Sequence, residues 1–261
     1  MSKKHDILGA FGVIGLSTLA SRILGLVREM VIAFLFGAGM SADAFFVAFQ
    51  IPNTFRRLMA EGSLTIAFVP VFSDTMIKKG RREAEALANA VFTLLTISLI
   101  VLTIAGILFS SPLIKVMVWG WEQAGIPGKI ELTVLLTRIM FPYVFFISLV
   151  AFCMGVLNSL KHFAAPALSP ALLNLSMILS AILLYPYCNP PILALAAGVI
   201  VGGFLQLILQ IPFLMQKGIH LVFDFSLQHP GLRRIGSLMV YGVFGSAVYQ
   251  INIIITRFLA S

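Results

Sequence analysis

Apolar residues run through this chain in stretches long enough to cross a hydrocarbon core, which takes roughly 20 helical residues. Residues 88–109, 132–157, 163–185, 191–215 and 235–255 are nearly uninterrupted; 7–36 and 43–71 are as long but carry charge, glycine and proline inside them. The pattern predicts seven helical crossings in an all-α, polytopic membrane helix bundle. One such run fits a buried helix of a large soluble protein, but a whole chain of them leaves no water-facing partner.

The two interrupted stretches hold the informative polar positions. At about 100° per residue, Thr18, Ser21, Arg22, Arg28 and Glu29 all fall within about 60° of Gly25, with Ile32 as the apolar exception on that face. Leu19, Ile23, Leu24, Leu26, Val27 and Val31 fill the rest of the circumference. An arginine inside a membrane costs at least about 2.5 to 3.5 kcal/mol, so two on one face imply a partner or a wet cavity. Glu29 offsets one of them, not both.

The second stretch carries Asp43, Phe45, Phe46, Phe49, Gln50, Pro52, Asn53, Arg56, Arg57, Glu61 and Gly62. Pro52 lacks an N–H and disfavours helical geometry at Ile51, which predicts a bend or a broken helix there. Adjacent residues point about 100° apart, so at most one of Arg56 and Arg57 faces the centre squarely, while the other snorkels or pairs with Glu61. Arg22, Arg28, Arg56 and Arg57 against Glu29, Asp43 and Glu61 leave a cationic excess that prefers anions. Arginine suits phosphate through its planar fork of paired donors, and a carboxylate stays open as a ligand.

Composition agrees with the membrane reading: 59% of residues are hydrophobic and 11% charged, with a mean hydropathy of +1.02. Charge then gives an orientation. Lys3, Lys4, Lys78, Lys79, Arg81, Arg82, Lys161, Lys217, Arg233 and Arg234 fall in alternate connections, which places them and the amino terminus in the cytoplasm. Lys115 and Lys129 dissent. The charged run 75–83 reads as a surface loop that sets topology rather than as a nucleic-acid patch, and 221–234 mixes aromatic and charged residues as an interfacial stretch does. No cleavable signal is evident in the first stretch, so it is expected to stay attached as the first helix.

The remaining polar residues are less specific. Arg138, ahead of Pro142, suits either a cavity or an interfacial anchor. Asn158, Asn174 and Ser176 suit hydrogen bonds between helices, and Gly198, Gly202 and Gly203 suit close helix approach. Gly245, Tyr249, Asn252 and Thr256 share a face of the last stretch, and 246–261 faintly echoes 17–39, as an internal repeat would. Cys153 and Cys188 read as packing residues, and no nucleophile arrangement, phosphate-binding glycine loop or zinc cluster is present in the sequence. Transport is therefore favoured over enzymatic chemistry.

Ser21, Arg22, Leu24, Gly25, Arg28 and Glu29, then 36–39, 43–49, Pro52, Asn53, Arg56, Arg57, Glu61 and Gly62, closely resemble the start of the MurJ/MviN family. That family comprises bacterial lipid II flippases of the multidrug/oligosaccharidyl-lipid/polysaccharide exporter superfamily. The likeness continues more loosely through Asn158, 166–174 and 250–252. It implies two six-helix lobes plus two further helices around a cationic cavity with alternating access. On that basis residues 1–217 form the first lobe, 218–234 a cytoplasmic or interfacial connection, and 235–261 the seventh helix, opening a second lobe.

The resemblance further implies that Arg22, Arg28 and Arg56 bind the pyrophosphate of lipid II, supported by Glu29, Asp43, Gly25, Asn53, Arg57 and Glu61. Glu29 stands where several relatives have aspartate, which keeps the charge and changes its reach. Expected partners are lipid II and membrane lipids, with no nucleic acid, no cofactor and no metal. Coupling to sodium or membrane potential is expected mostly from the second lobe, in a monomeric protein of the bacterial inner membrane. Three other readings stay open: a flippase for another polyprenyl-linked saccharide, a membrane enzyme acting on lipid pyrophosphates, and a nontransporting scaffold.

Overall fold

The computed structural model describes residues 2–57, 63–118, 120–121, 127–225 and 228–240, and of residues 2–11, 13 and 63 the backbone alone. The described chain is all-α. In order it forms α1 (Ser2–Phe36), α2 (Met40–Arg56), α3 (Ser63–Lys79), α4 (Arg81–Leu108), α5 (Ser110–Met117), α6 (Lys129–Met140), α7 (Pro142–Ser159), α8 (Ala164–Leu184) and α9 (Leu193–Gln216). A helical run follows over 230–240, and no strand occurs among the described residues.

Among the described residues, four helical spans are long and apolar enough to cross a membrane: Arg81–Leu108, Lys129–Ser159, Ala164–Tyr187 and Leu193–Gln216. The second of these joins α6 to α7 across Phe141, where Pro142 removes one N–H from the helical ladder. The stretch 43–71 expected as one crossing is described as two helices, α2 and α3, of 17 residues each. Between them, Glu61 and Gly62 lie outside the described residues, as do 241–261 with Gly245, Tyr249, Asn252 and Thr256.

Two local expectations are corrected. Of the bend or break expected at Pro52, the break does not occur: α2 runs through it to Arg56, and the Arg57 N–H then meets the carbonyls of both Asn53 and Thr54. Ala44, Phe45, Ala48, Ile51 and Pro52 are buried and α2 packs against α6 and α7, so tertiary burial holds the helix despite the missing donor. The charged run 75–83 is not a loop either. α3 carries it to Lys79 and α4 resumes at Arg81, with Gly80 at φ +87° as the single turn residue between them. Lys78 and Lys79 sit in the last turn of α3 and match its dipole, while the first turn of α4 carries Glu83 beside Arg81 and Arg82.

α7 is the centre of the bundle, packed by α2, α3, α4 and α9. On one side its Phe152 packs with Phe68, Phe72 and Leu87, the Phe68 and Phe152 rings lying 5.0 Å apart. On another, Tyr143 and Ile147 join Phe45, Met140 and Met177. α8 and α9 touch backbone to backbone, as the glycines suggested. A Cβ at Gly198 would stand 2.9 Å from the Met177 Cα, and one at Gly202 3.1 Å from the Leu173 Cα. Ser176 Oγ donates to the Gly198 carbonyl at 2.9 Å in the space so opened.

The connection after α9 is strapped along α4. The N–H groups of His220, Val222 and Asp224 donate to Glu85 Oε1 (2.9 Å), Asn89 Oδ1 (3.1 Å) and Thr93 Oγ1 (2.8 Å). Two residues of extended chain advance about 6.6 Å and four of helix about 6.0 Å, so the two registers match. Phe223 packs on Phe92 with rings 5.2 Å apart, while Val222, Phe223 and Phe225 remain exposed. The stretch read as interfacial thus has its backbone docked, Leu221 and Leu232 packed on the core, and Val222, Phe223 and Phe225 keeping exposed apolar surface. Arg81 donates to the Lys217 carbonyl and Arg234 pairs with Asp74 at 3.2 Å, which gathers the basic connections at one end of the bundle.

Candidate functional site

α1 divides into three stripes. Ser17 and Ile32 are buried, and Ser21, Gly25 and Arg28 lie partly buried between them on the side where α1 packs against α8. Thr18, Arg22 and Glu29 form an exposed polar stripe, and Leu16, Leu19, Ile23, Leu26, Met30 and Phe34 an exposed apolar one. The polar face centred on Gly25 is therefore split, half turned into the bundle and half left open.

Asn174 of α8 fixes the inward half. Its Oδ1 accepts from Arg28 Nη1 at 3.0 Å and its Nδ2 donates to the Ser21 carbonyl at 3.0 Å. A Cβ on Gly25 would meet that Nδ2 at 3.6 Å, so the glycine leaves room for the amide without being indispensable. Arg28 also pairs with Glu29. Its Nε is buried and has no hydrogen-bond partner among the described residues.

Two adjoining cavities meet at Arg28. The larger, about 490 Å³, is lined by Arg28, Asn53, Arg56, Asn174, Ser169 and Gln206 together with Phe49, Ile147, Val150, Met154 and Leu173. The smaller, about 290 Å³, is lined by Arg28, Glu29, Gln50, Asn53 and Arg57 with Phe45, Phe46 and Phe49. Arg28, Phe49 and Asn53 belong to both. Arg56 and Arg57 thus face different chambers, as their angular separation required. Arg56 Nε donates to Asn53 Oδ1 at 3.0 Å, which holds its fork beside the larger one. Three guanidiniums and one carboxylate line the pair.

The structure does not bring all the expected residues together. Arg22 lines neither chamber. Six residues of helix turn it about 120° from Arg28, which a wheel centred on Gly25 conceals. Asp43 is drawn elsewhere: its Oδ2 accepts from Lys129 Nζ at 2.8 Å, and that ammonium also lies 3.8 Å from the Trp121 ring centroid. Lys129 is only 6% exposed, so one of the two dissenting cations is a buried brace between α2 and α6. Arg138 lines neither chamber and donates from Nε to Ser110 Oγ at 2.9 Å, tying α6 to α5. Glu61 lies outside the described residues.

Sequence reasoning passed over Gln206 and Ser169, which the fold brings to the larger cavity. A signal existed in Gln206 and Gln210, two glutamines four apart in an otherwise apolar run. Among the described residues no group of three or more His, Cys, Asp and Glu side chains is placed to hold a metal.

A family model described as "Lipid II flippase MurJ" matches residues 32–261. A lipid II flippase MurJ from Burkholderia cenocepacia is 41% identical over 248 residues, covering 94% of this chain and 48% of the relative. A probable lipid II flippase MurJ from Vibrio cholerae is 39% identical over 254 residues, covering 95% and 48%. Among solved structures, a lipid II flippase MurJ in an inward closed conformation aligns with a TM-score of 0.72 at 26% identity, over 92% of this chain and 48% of that one. A MOP superfamily transporter from Pyrococcus furiosus, 15% identical, shares the fold with a TM-score of 0.71 over 95% of this chain and 54% of its own. The chain spans about half the length of the curated relatives it matches.

Proposed function

The chain belongs to the lipid II flippase MurJ family, and from that premise we propose that the protein carrying it moves lipid II from the cytoplasmic to the outer leaflet of the bacterial inner membrane. The observation that carries the reading is the junction at Arg28. There a guanidinium braced by Asn174 and Glu29 retains a buried Nε with no hydrogen-bond partner among the described residues, where a chamber bearing Arg56 meets one bearing Arg57. Guanidinium forks held at fixed positions suit the paired oxygens of a pyrophosphate. In this reading Arg28 and Arg56 hold the pyrophosphate, and Arg22 meets it from the exposed stripe of α1. Gly25, Asn53, Glu29 and Arg57 shape the site, with Glu61 placed beside it by motif position and Asp43 bracing α2.

Transport proceeds by alternating access between two lobes. The open polar stripe of α1 is the half-site that an opposing lobe covers, and the large headgroup needs both walls. Coupling to sodium or membrane potential belongs mostly to that opposing lobe, and the protein works as a monomer without a cofactor. Orientation follows the cation bias, with the amino terminus and Lys79 cytoplasmic. Labelling of a single cysteine at position 79 from each side of the membrane tests this; exclusive outside labelling reverses it.

Lipid II flipping in sealed proteoliposomes tests the function, comparing equal amounts of the full-length protein and the Met1–Ser261 chain, with insertion checked separately. Flipping by the full-length protein alone is expected. Arg22-dependent flipping by the shorter chain with no partner lobe present contradicts the two-lobe reading. Transport of a different polyprenyl-linked saccharide in preference to lipid II reassigns the substrate.

A further inference from the structure

One wall of the larger cavity is not explained by anion binding. Gln206 and Ser169 line it beside Arg28, Arg56 and Asn174, and they are 2% and 1% exposed. Gln206 Nε2 donates to the Ser169 carbonyl at 2.8 Å. Because a carbonyl only accepts, this bond fixes the orientation of the amide and leaves Oε1 as its free acceptor. Gln206 Oε1 and Ser169 Oγ are both buried without a hydrogen-bond partner among the described residues. Buried polar atoms are nearly always paired, because an unmet donor or acceptor forfeits its hydration. Both belong to residues that line one cavity, where a bound group is the nearest place for a partner to stand.

The chemistry of that partner is constrained from both sides. Gln206 Oε1 requires a donor, which a phosphate oxygen is not. A cation supplies donors but is repelled by Arg28 and Arg56 across the same space. What remains is a neutral group bearing O–H or N–H. Ile147, Val150, Ala151, Met154 and Leu173 add an apolar flank suited to the C–H face of a sugar ring. At about 490 Å³ the space lies within the roughly 300–1,000 Å³ typical of small-molecule pockets.

We propose that Gln206 and Ser169 form a saccharide subsite, in which hydroxyl or amide groups of the sugar next to the pyrophosphate donate to Gln206 Oε1 and bond with Ser169 Oγ. This rests on the pyrophosphate reading of Arg28 and Arg56 given above. It assigns headgroup discrimination to α8 and α9 and anion capture to α1 and α2.

Two ligands with the same tail separate the subsite from the anion site: lipid II, and undecaprenyl pyrophosphate, which has no sugar. In the full-length protein, Gln206→Met and Ser169→Ala should each weaken lipid II binding by about 3- to 10-fold, the loss of one or two neutral hydrogen bonds. Both variants should keep undecaprenyl pyrophosphate affinity within about twofold, which also shows that they are folded. Arg28→Gln should weaken both ligands. Equal weakening of the two ligands by Gln206→Met and Ser169→Ala, or of neither, overturns the saccharide subsite and leaves the pyrophosphate site standing. Failure of Arg28→Gln to weaken either ligand overturns the pyrophosphate reading, and the subsite with it.

Discussion

Asn174 joins α8 to α1 through Arg28: its Oδ1 accepts from Arg28 Nη1 at 3.0 Å while its Nδ2 donates to the Ser21 carbonyl at 3.0 Å. One amide therefore satisfies a helix carbonyl and aims a guanidinium, and the two demands use its opposite ends. Asn174→Leu should remove both bonds and leave Arg28 held by Glu29 alone, at a cost of about 1–3 kcal/mol in stability. Asn174→Asp should lose only the donation to Ser21 and keep Arg28 in place. Thermal unfolding in detergent together with lipid II binding checks this. Equal loss of binding in the Leu and Asp variants contradicts an aiming role.

The bundle and part of the site were legible because their causes are local. Long apolar runs must be helical in a membrane, and Arg28 and Arg56 stood out because charge there is costly. Gly198 and Gly202 announced close packing simply by lacking side chains. What stayed hidden depended on partners distant in sequence. Lys129 looked like a loop cation because its carboxylate, Asp43, is 86 residues away. Gln206 in an apolar run says nothing about where its free oxygen points. The run 75–83 misled because charges gathered at two helix ends look like a loop when no register is known, and a single glycine makes the turn. The strap on α4 uses backbone donors, which side-chain patterns cannot reveal.

The strap gives a prediction by residue. Removing the acceptors with Asn89→Ala and Thr93→Val should free the N–H groups of Val222 and Asp224. Their hydrogen exchange should quicken by about tenfold or more, while the centre of α7 stays protected. Unchanged exchange at both amides contradicts the docking of this segment.

His162 supplies a pH dependence outside the membrane spans. Its ring stacks on Phe213 with centroids 4.7 Å apart, and burial, followed by the charge of Lys217, holds its pKa below the usual 6.5. With the folded value below the unfolded one, the neutral ring stabilises the docked state. That contribution is present above pH 6.5 and is lost as pH falls through the folded value. Magnetic-resonance titration of the full-length protein should give a midpoint below 6.5, raised in Lys217→Met. A midpoint at or above 6.5 in the unsubstituted protein contradicts the account.

The central claim is that the arginines of α1 and α2 hold the pyrophosphate of the transported lipid. Its most direct test is lipid II binding and flipping by the full-length protein in sealed proteoliposomes, with Arg22, Arg28 and Arg56 each replaced by Gln. Arg28→Gln and Arg56→Gln should each lower affinity by about tenfold or more, the loss of a charge-assisted hydrogen bond, and slow flipping without abolishing insertion. Arg22→Gln should also weaken binding or flipping. Normal binding and normal flipping by all three variants would contradict the assignment.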